Sequence, residues 1–167
     1  MYRMIYTWPD IAFTTRRLSQ HLKGPVQRHY GGLKELLRYI GSTINQRIRY
    51  GPSTNRDLVV YTDADWAGDK TDQKSTSGFV AMLYRGPVCW ASQKQTSVAT
   101  SSTESEYIAL STGAKQAVWI GQVIRDMGFP DYIGLDPNNV NIKGDNQGSL
   151  TLVKNPHLHK RSKHIDI

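Results

Sequence analysis

The sequence has few of the features that mark secreted or membrane proteins. It holds one cysteine, Cys89, among 167 residues, which excludes an internal disulfide and favours a reducing compartment. It shows no secretory leader pattern and no run of about 18 apolar residues. We therefore expect an intracellular protein, in the cytoplasm or the nucleus. The length suits one domain with a substantial core, together with a smaller segment.

Acidic residues are scarce at the N-terminal end. Residues 1–50 hold nine lysines and arginines against Asp10 and Glu35, whereas residues 51–167 hold twelve residues of each sign. The formal charge of +7 therefore lies in the first segment, which is typical of a polyanion-binding arm or of a solvated helical surface. Proline positions and leucines at helical spacing predict two helices there. We expect a basic helical connection segment over 1–50 and a separate domain over 51–167.

The second segment has the pattern of a mixed α/β layered domain. An uninterrupted apolar run rich in β-branched residues begins at Leu58 and predicts a buried strand. Further patterns predict strands over 79–84 and 88–91 joined by a turn at 85–87, a long helix from about 101 to Gly128, a strand over 140–143 and a short helix over 146–153.

Carboxylates recur where these predicted elements begin or end. Asp63 and Asp65 end the first strand, Glu104 and Glu106 open the long helix, and Asp145 follows the fourth strand. A cluster of such acids needs cations, and oxygen ligands without cysteine select a hard ion such as Mg²⁺. Spacing alone leaves each neighbouring pair undecided, because either member can face a site or serve as a turn or capping acid. Asp145 taken alone is equally typical of a turn.

Five motifs resemble, in order, those of the ribonuclease H domain in copia-type retrotransposon Pol polyproteins. They are Thr-Asp-Ala-Asp-Trp-Ala-Gly (62–68), Ser-Thr-Ser-Gly-Phe (75–79), Ser-Ser-Thr-Glu-Ser-Glu-Tyr (101–107), Asp-Asn-Gln-Gly-Ser (145–149) and His-Lys-Arg-Ser-Lys-His-Ile-Asp (159–166). Residues 8–12 and 36–40 similarly resemble the connection that follows the reverse transcriptase in those polyproteins. The resemblance covers nearly the whole chain.

This resemblance implies a ribonuclease H-like three-layer α/β fold, in which three antiparallel strands are followed by parallel strand pairing and flanked by helices. It implies hydrolysis of the RNA strand of RNA/DNA hybrids with two Mg²⁺ ions, for which Mn²⁺ can substitute. The implied catalytic and metal-binding residues are Asp63, Glu104, Asp145 and Asp166. The implied partners are the RNA/DNA hybrid and the reverse transcriptase domain of the same polyprotein.

Candidate substrate contacts surround these acids. They are Gln93, Lys94, Asn146, His159, Arg161, Lys163 and His164, each of which can equally be a solvated loop residue. Asp166 lies one residue from the end of the chain, where the family continues with a further helix, so we expect a C-terminally truncated domain. The alternative function is a catalytically impaired transposon-derived fragment that only binds nucleic acid or a partner protein. An integrase-type strand transferase shares the architecture but fits the motif order poorly.

Overall fold

The computed structural model describes residues 2–51, 57–128 and 140–155, with side chains from residue 4 onward. The chain divides into two compact units, residues 1–49 and residues 50–167. Among the described residues, no helix is both long enough and apolar enough to cross a membrane.

The N-terminal unit is helical, but its described residues form three α-helices where the proline and leucine pattern predicts two. It contains α1 (Tyr2–Tyr6), a single 3₁₀ turn that leads directly into α2 (Ala12–Ser19), and α3 (Gln27–Ser42). Pro9 opens the 3₁₀ turn, where a missing N–H group costs nothing. Helix α3 has no buried residue, so its leucine stripe lies largely at the surface. This unit is therefore held by a small core, and its described buried apolar side chains are Ile11 and Ala12.

The second unit is built on a four-stranded sheet in the order β3-β2-β1-β4. The strands are β1 (Leu58–Asp65), β2 (Thr76–Leu83), β3 (Gly86–Lys94) and β4 (Val140–Lys143). The β1–β2 and β2–β3 pairs are antiparallel, whereas β4 pairs parallel with β1. The predicted mixed sheet, with three antiparallel strands followed by one parallel strand, is confirmed, and the architecture agrees with a ribonuclease H-like fold.

The turn between β2 and β3 lies one residue earlier than the sequence pattern predicts. Tyr84 and Arg85 occupy its two central positions with φ angles of 49° and 66°, and Gly86 is already the first residue of β3. Two consecutive residues with positive φ give the turn the twist that matches the flanking strands. The strand twist thus selects the turn residues here, even though a glycine is available next to them.

A long helix, α4 (Ser102–Asp126), packs on the sheet and closes the core. The core joins two strands of the sheet to the second half of the helix, through Leu58, Val60, Phe79, Ala81, Ala117, Ile120 and Ile124. The last described helix is α5 (Gln147–Lys154), which begins after Asn146. The Asn146 side chain caps it by accepting a hydrogen bond of 2.9 Å from the Ser149 amide. Because β1 and β4 are parallel, their carboxyl ends lie at the same end of the sheet. The start of α4 contacts β1 at that end, through a hydrogen bond between Ala64 and Glu106.

Candidate metal centre

Asp63 and Asp145 lie side by side because β1 and β4 are parallel neighbours. The last paired residues of these two strands are Tyr61 and Lys143, which face each other in the register. Asp63 and Asp145 each follow that pair by two residues, so they occupy equivalent positions on adjacent chains about 4.8 Å apart. The carboxyl ends of parallel strands are a common place for binding sites, and both of these aspartates are exposed.

Glu106 enters the same site from the first turns of α4. Its side chain is buried, with 8% of its surface exposed. One carboxylate oxygen, Oε1, accepts a hydrogen bond of 3.3 Å from the Ala64 amide, the residue next to Asp63. This contact ties the start of the helix to the end of β1 and holds the Glu106 carboxylate beside the two aspartates.

The three side chains form a compact group of oxygen donors. One carboxylate oxygen from each of Asp63, Glu106 and Asp145 can be chosen so that all three lie within 4.8 Å of one another. Burial raises the pKa of Glu106, the hydrogen bond from the Ala64 amide opposes this rise, and the negative charges of Asp63 and Asp145 each add a smaller rise. Like charges at this separation repel by roughly 3 kcal/mol at an effective dielectric of about 20. A hard divalent cation would relieve that repulsion, and three carboxylates are a donor set that fits Mg²⁺ or Mn²⁺.

Glu104, which the motif match favours as a ligand, lies elsewhere. Its Oε2 atom accepts hydrogen bonds from the Thr100 amide at 2.8 Å and from the Thr100 hydroxyl at 2.6 Å. Its own amide donates to the Ser101 hydroxyl at 3.2 Å, so the residue closes the N-terminal turn of α4. Two residues along a helix point in nearly opposite directions, and the helix that turns Glu106 toward Asp63 turns Glu104 away. Of the two glutamates, the structure brings Glu106 to the aspartates.

Asp65 is also separated from the cluster. The Asp65 carboxylate folds back over Gly68, so closely that a Cβ atom added at Gly68 would collide with it. The glycine therefore makes room for the acid to cover the loop that follows β1. This geometry supports the choice of Asp63 over Asp65.

The other predicted site residues divide into three groups. Lys94 is paired with Asp69 and with Asp72, the latter at 2.9 Å, and Asn146 caps α5, so both side chains already have structural contacts. Gln93 is exposed at the end of β3 and stays a prediction. The remaining predicted residues lie outside the described part of the chain: His159, Arg161, Lys163, His164 and Asp166.

A signal for Glu106 is present in the sequence, in the small residues that follow it. Ala109, Gly113 and Ala117 are all buried and recur three, seven and eleven residues after Glu106. Small residues at helical spacing mark the face on which a helix approaches a neighbouring element closely. Val118, an apolar residue of the same helix, is 60% exposed, so apolar character alone does not identify the buried face.

Comparison with known proteins relates almost the whole chain to transposon proteins. It is 39% identical over 164 residues to the retrovirus-related Pol polyprotein from transposon RE1 of Arabidopsis thaliana, and the match covers 98% of this chain and 11% of that protein. It is 35% identical over 169 residues to the retrovirus-related Pol polyprotein from transposon TNT 1-94 of Nicotiana tabacum, covering 100% of this chain and 12% of that protein. The chain thus spans about a ninth of the length of these polyproteins.

A shorter relative is covered over most of its length. The secreted RxLR effector protein 161 of Plasmopara viticola is 45% identical over 120 residues, which is 72% of this chain and 84% of that protein. No family model matches the chain, and no solved structure matches it.

Proposed function

This chain belongs to the sequence family shared by those transposon Pol polyproteins and the effector protein, and we propose that its second unit, residues 50–167, is a metal-dependent endonuclease that hydrolyses the RNA strand of RNA/DNA hybrids. Its homology to Pol polyproteins marks it as retrotransposon-derived. The nuclease activity is our inference, as are its two proposed partners, the RNA/DNA hybrid and the reverse transcriptase domain of the same polyprotein.

The observation that carries the proposal is the meeting of Asp63, Glu106 and Asp145. These acids are far apart in the sequence and come from three different elements, yet their oxygens lie within 4.8 Å of one another. Such convergence of repelling charges is unfavourable for stability, and it is typical of sites that bind cations. Asp166 remains our proposed fourth ligand, by its place in the last motif.

Each residue of the cluster has a role in this proposal. Asp63 and Asp145 would hold the metal ions from the exposed strand ends, and Glu106 would hold them from the buried side, where the Ala64 amide orients its carboxylate. When bound, the ions supply the activation of a water molecule and the stabilisation of the departing oxygen at phosphorus. The protein therefore needs no covalent nucleophile, and its contribution is to fix these carboxylates and to orient the hybrid.

A cleavage assay on matched duplexes tests the proposal. The full chain is incubated with Mg²⁺ and end-labelled RNA/DNA, RNA/RNA or DNA/DNA duplexes of one sequence. We expect cleavage of the RNA strand of the hybrid alone, since 2′-hydroxyl groups and duplex shape distinguish the hybrid. Chelation of the metal should abolish it. Asp63→Asn should also abolish it, whereas Asp65→Asn, as the matched control, should retain it.

Two results would contradict the proposal. Cleavage that persists in Asp63→Asn at the parent rate would remove the cluster from the chemistry. Tight binding of the hybrid without any cleavage, with Mg²⁺ or Mn²⁺, would support a transposon-derived fragment that only binds nucleic acid.

A further inference from the structure

Thr62 directly precedes Asp63 in β1, so its side chain lies on the opposite face of the strand from that of Asp63, toward the interior of the unit. It is buried, with 6% of its surface exposed. Two glycines lie against its side chain, Gly113 on α4 and Gly144 in the segment that follows β4.

The first contact is with α4, at Gly113. A Cβ atom added at Gly113 would collide with the Thr62 Cγ2 methyl group, whereas the next nearest atom, Val60 Cγ1, is 3.4 Å from that position. Gly113 follows Glu106 by seven residues, which is two helical turns, so both residues lie on the face of α4 that meets β1. The methyl group of Thr62 therefore occupies the place where a larger residue on α4 would lie.

The second contact is with the chain that leads from β4 to α5, at Gly144. A Cβ atom added there would lie 3.4 Å from Thr62 Oγ1. Gly144 directly precedes Asp145. The two branches of one threonine side chain thus face two glycines, one on the helix of Glu106 and one beside Asp145.

We propose that Thr62 is a positioning residue that sets the separation of the three carboxylates, because its two branches fit against Gly113 and Gly144. This proposal rests on the proposed metal centre and adds the residues that fix its geometry. Thr62 does not touch the site itself. It acts through the backbone of β1, through the distance between α4 and β1, and through the placement of Gly144.

The shape of Thr62, and not its hydroxyl group, carries this role. The Oγ1 atom is buried and has no hydrogen-bond partner among the described residues. Valine has nearly the same shape and lacks the hydroxyl group, so Thr62→Val should leave the site intact. An unpaired buried hydroxyl group is unfavourable, and its removal should not lower the thermal midpoint.

The test uses a compensating pair of substitutions in the full chain. Gly113→Ala adds the colliding methyl group, and Thr62→Ser removes the methyl group with which it collides. Two readouts are measured: Mn²⁺ affinity by calorimetry, and the hydrogen-exchange rate of the Ala64 amide, which donates to Glu106. The Ala81 amide, in the buried sheet, reports global opening.

We expect Gly113→Ala to weaken Mn²⁺ binding by about tenfold or more and to speed Ala64 exchange by about tenfold, an effect of the size that residues supporting metal ligands have. The double variant Thr62→Ser/Gly113→Ala should return both values to within about threefold of the parent. Gly41→Ala is the matched control, because Gly41 lies in a helix with no atom within 4 Å of an added Cβ. It should change neither value.

Several outcomes would overturn the proposal. Parent-like Ala64 exchange in Gly113→Ala would show that the helix is not displaced, and a double variant no better than the single would show that Thr62 is not the obstacle. Equal acceleration at Ala81 would indicate general destabilisation instead. If the parent binds no Mn²⁺, the proposed metal centre is wrong. Ala64 exchange in Gly113→Ala, in the double variant and in the Gly41→Ala control still decides whether Thr62 sets the distance between α4 and β1.

Discussion

The second unit contains two groups of acids that differ in how their negative charge is balanced. Asp69 and Asp72 share the Lys94 ammonium group, which lies at the end of β3. In the other group, Asp63, Glu106 and Asp145, the described part of the chain shows no salt bridge to a lysine or arginine. One group therefore holds its own counter-ion, whereas the other has none among the residues that the structure describes.

The pKa values of Asp69 and Glu106, one acid from each group, shift in opposite directions. The hydrogen bond from Lys94 lowers the pKa of Asp69 to about 2. Burial raises the pKa of Glu106, and the two neighbouring aspartates add to the effect. An acid that is stabilised by its surroundings serves structure, whereas an acid that is destabilised by them is a candidate for binding or catalysis.

The largest effect is expected from the choice between the two glutamates at the start of α4. Glu106→Gln should lower cleavage of the hybrid by at least about 100-fold, because even residues that only support metal ligands typically contribute 10–100-fold. Glu104→Gln should lose at most about 1 kcal/mol of stability at the helix N-terminus and keep cleavage within about tenfold of the parent. Steady-state cleavage rates and thermal unfolding of both variants measure this contrast. Equal losses of activity would place Glu104 in the site as well.

The second largest effect is expected in thermal unfolding, when Mg²⁺ binds to Asp63, Glu106 and Asp145. Mg²⁺ should raise the thermal midpoint of the parent, by an amount that corresponds to about 2.7 kcal/mol at a hundred times the dissociation constant. Asp63→Asn should largely remove this response, while Lys94→Met should keep it. Calorimetric unfolding over a series of Mg²⁺ concentrations, with ionic strength held constant, provides the measurement. A stabilisation that Na⁺ reproduces at equal ionic strength would point to screening.

A smaller effect is expected on the pH dependence of stability in the metal-free protein. Because the folded-state pKa of Glu106 is raised above 4.5, its contribution to stability is fully present below that pH and is lost as the pH rises through the raised value. Glu106→Gln should therefore make the metal-free protein more stable at pH 7 and reduce the loss of stability as the pH rises above 4.5. Urea unfolding in the presence of a chelator tests this. A less stable variant at pH 7 would contradict it.

The smallest effect is expected when the ion pairs of Lys94 with Asp69 and Asp72 are removed. The pKa of Asp69 is lowered to about 2, so its contribution to stability is present above about pH 4 and is lost as the pH falls through about 2. Lys94→Met should move acid unfolding to higher pH, yet change stability at pH 7 by no more than about 1 kcal/mol, because the pair is partly exposed. Hybrid cleavage should stay within about twofold. A large rise in the KM for hybrid would restore Lys94 as a substrate contact.

The secondary structure of the second unit follows closely from local patterns. The fourth strand has the predicted bounds, the long helix ends before Gly128, whose φ of +69° suits glycine, and Asn146 caps the last helix. These features depend on residues that are neighbours in the chain. The sequence pattern predicts the turn between β2 and β3 one residue too late, because the twist of the paired strands places it at Tyr84 and Arg85.

The membership of the acid cluster required more than local patterns. Asp63 and Asp145 could be proposed from their places at the ends of strands, but Glu104 and Glu106 lie two residues apart near the start of one helix, where the sequence allows either to be a capping acid. Only the direction in which α4 meets β1 separates them, and that direction depends on the close approach at Gly113.

By itself, the sequence determined the elements, their order and the acids available at their ends, because helices and strands depend on short-range periodicity and capping. The tertiary structure alone decided that Glu106, Asp63 and Asp145 lie within 4.8 Å of one another, while Glu104 stays with Thr100. The physical reason is that the register of two parallel strands and the packing of a glycine against a threonine are contacts between distant parts of the chain. The small residues that follow Glu106 mark the face of α4 that makes a close approach, but they do not show which element it meets.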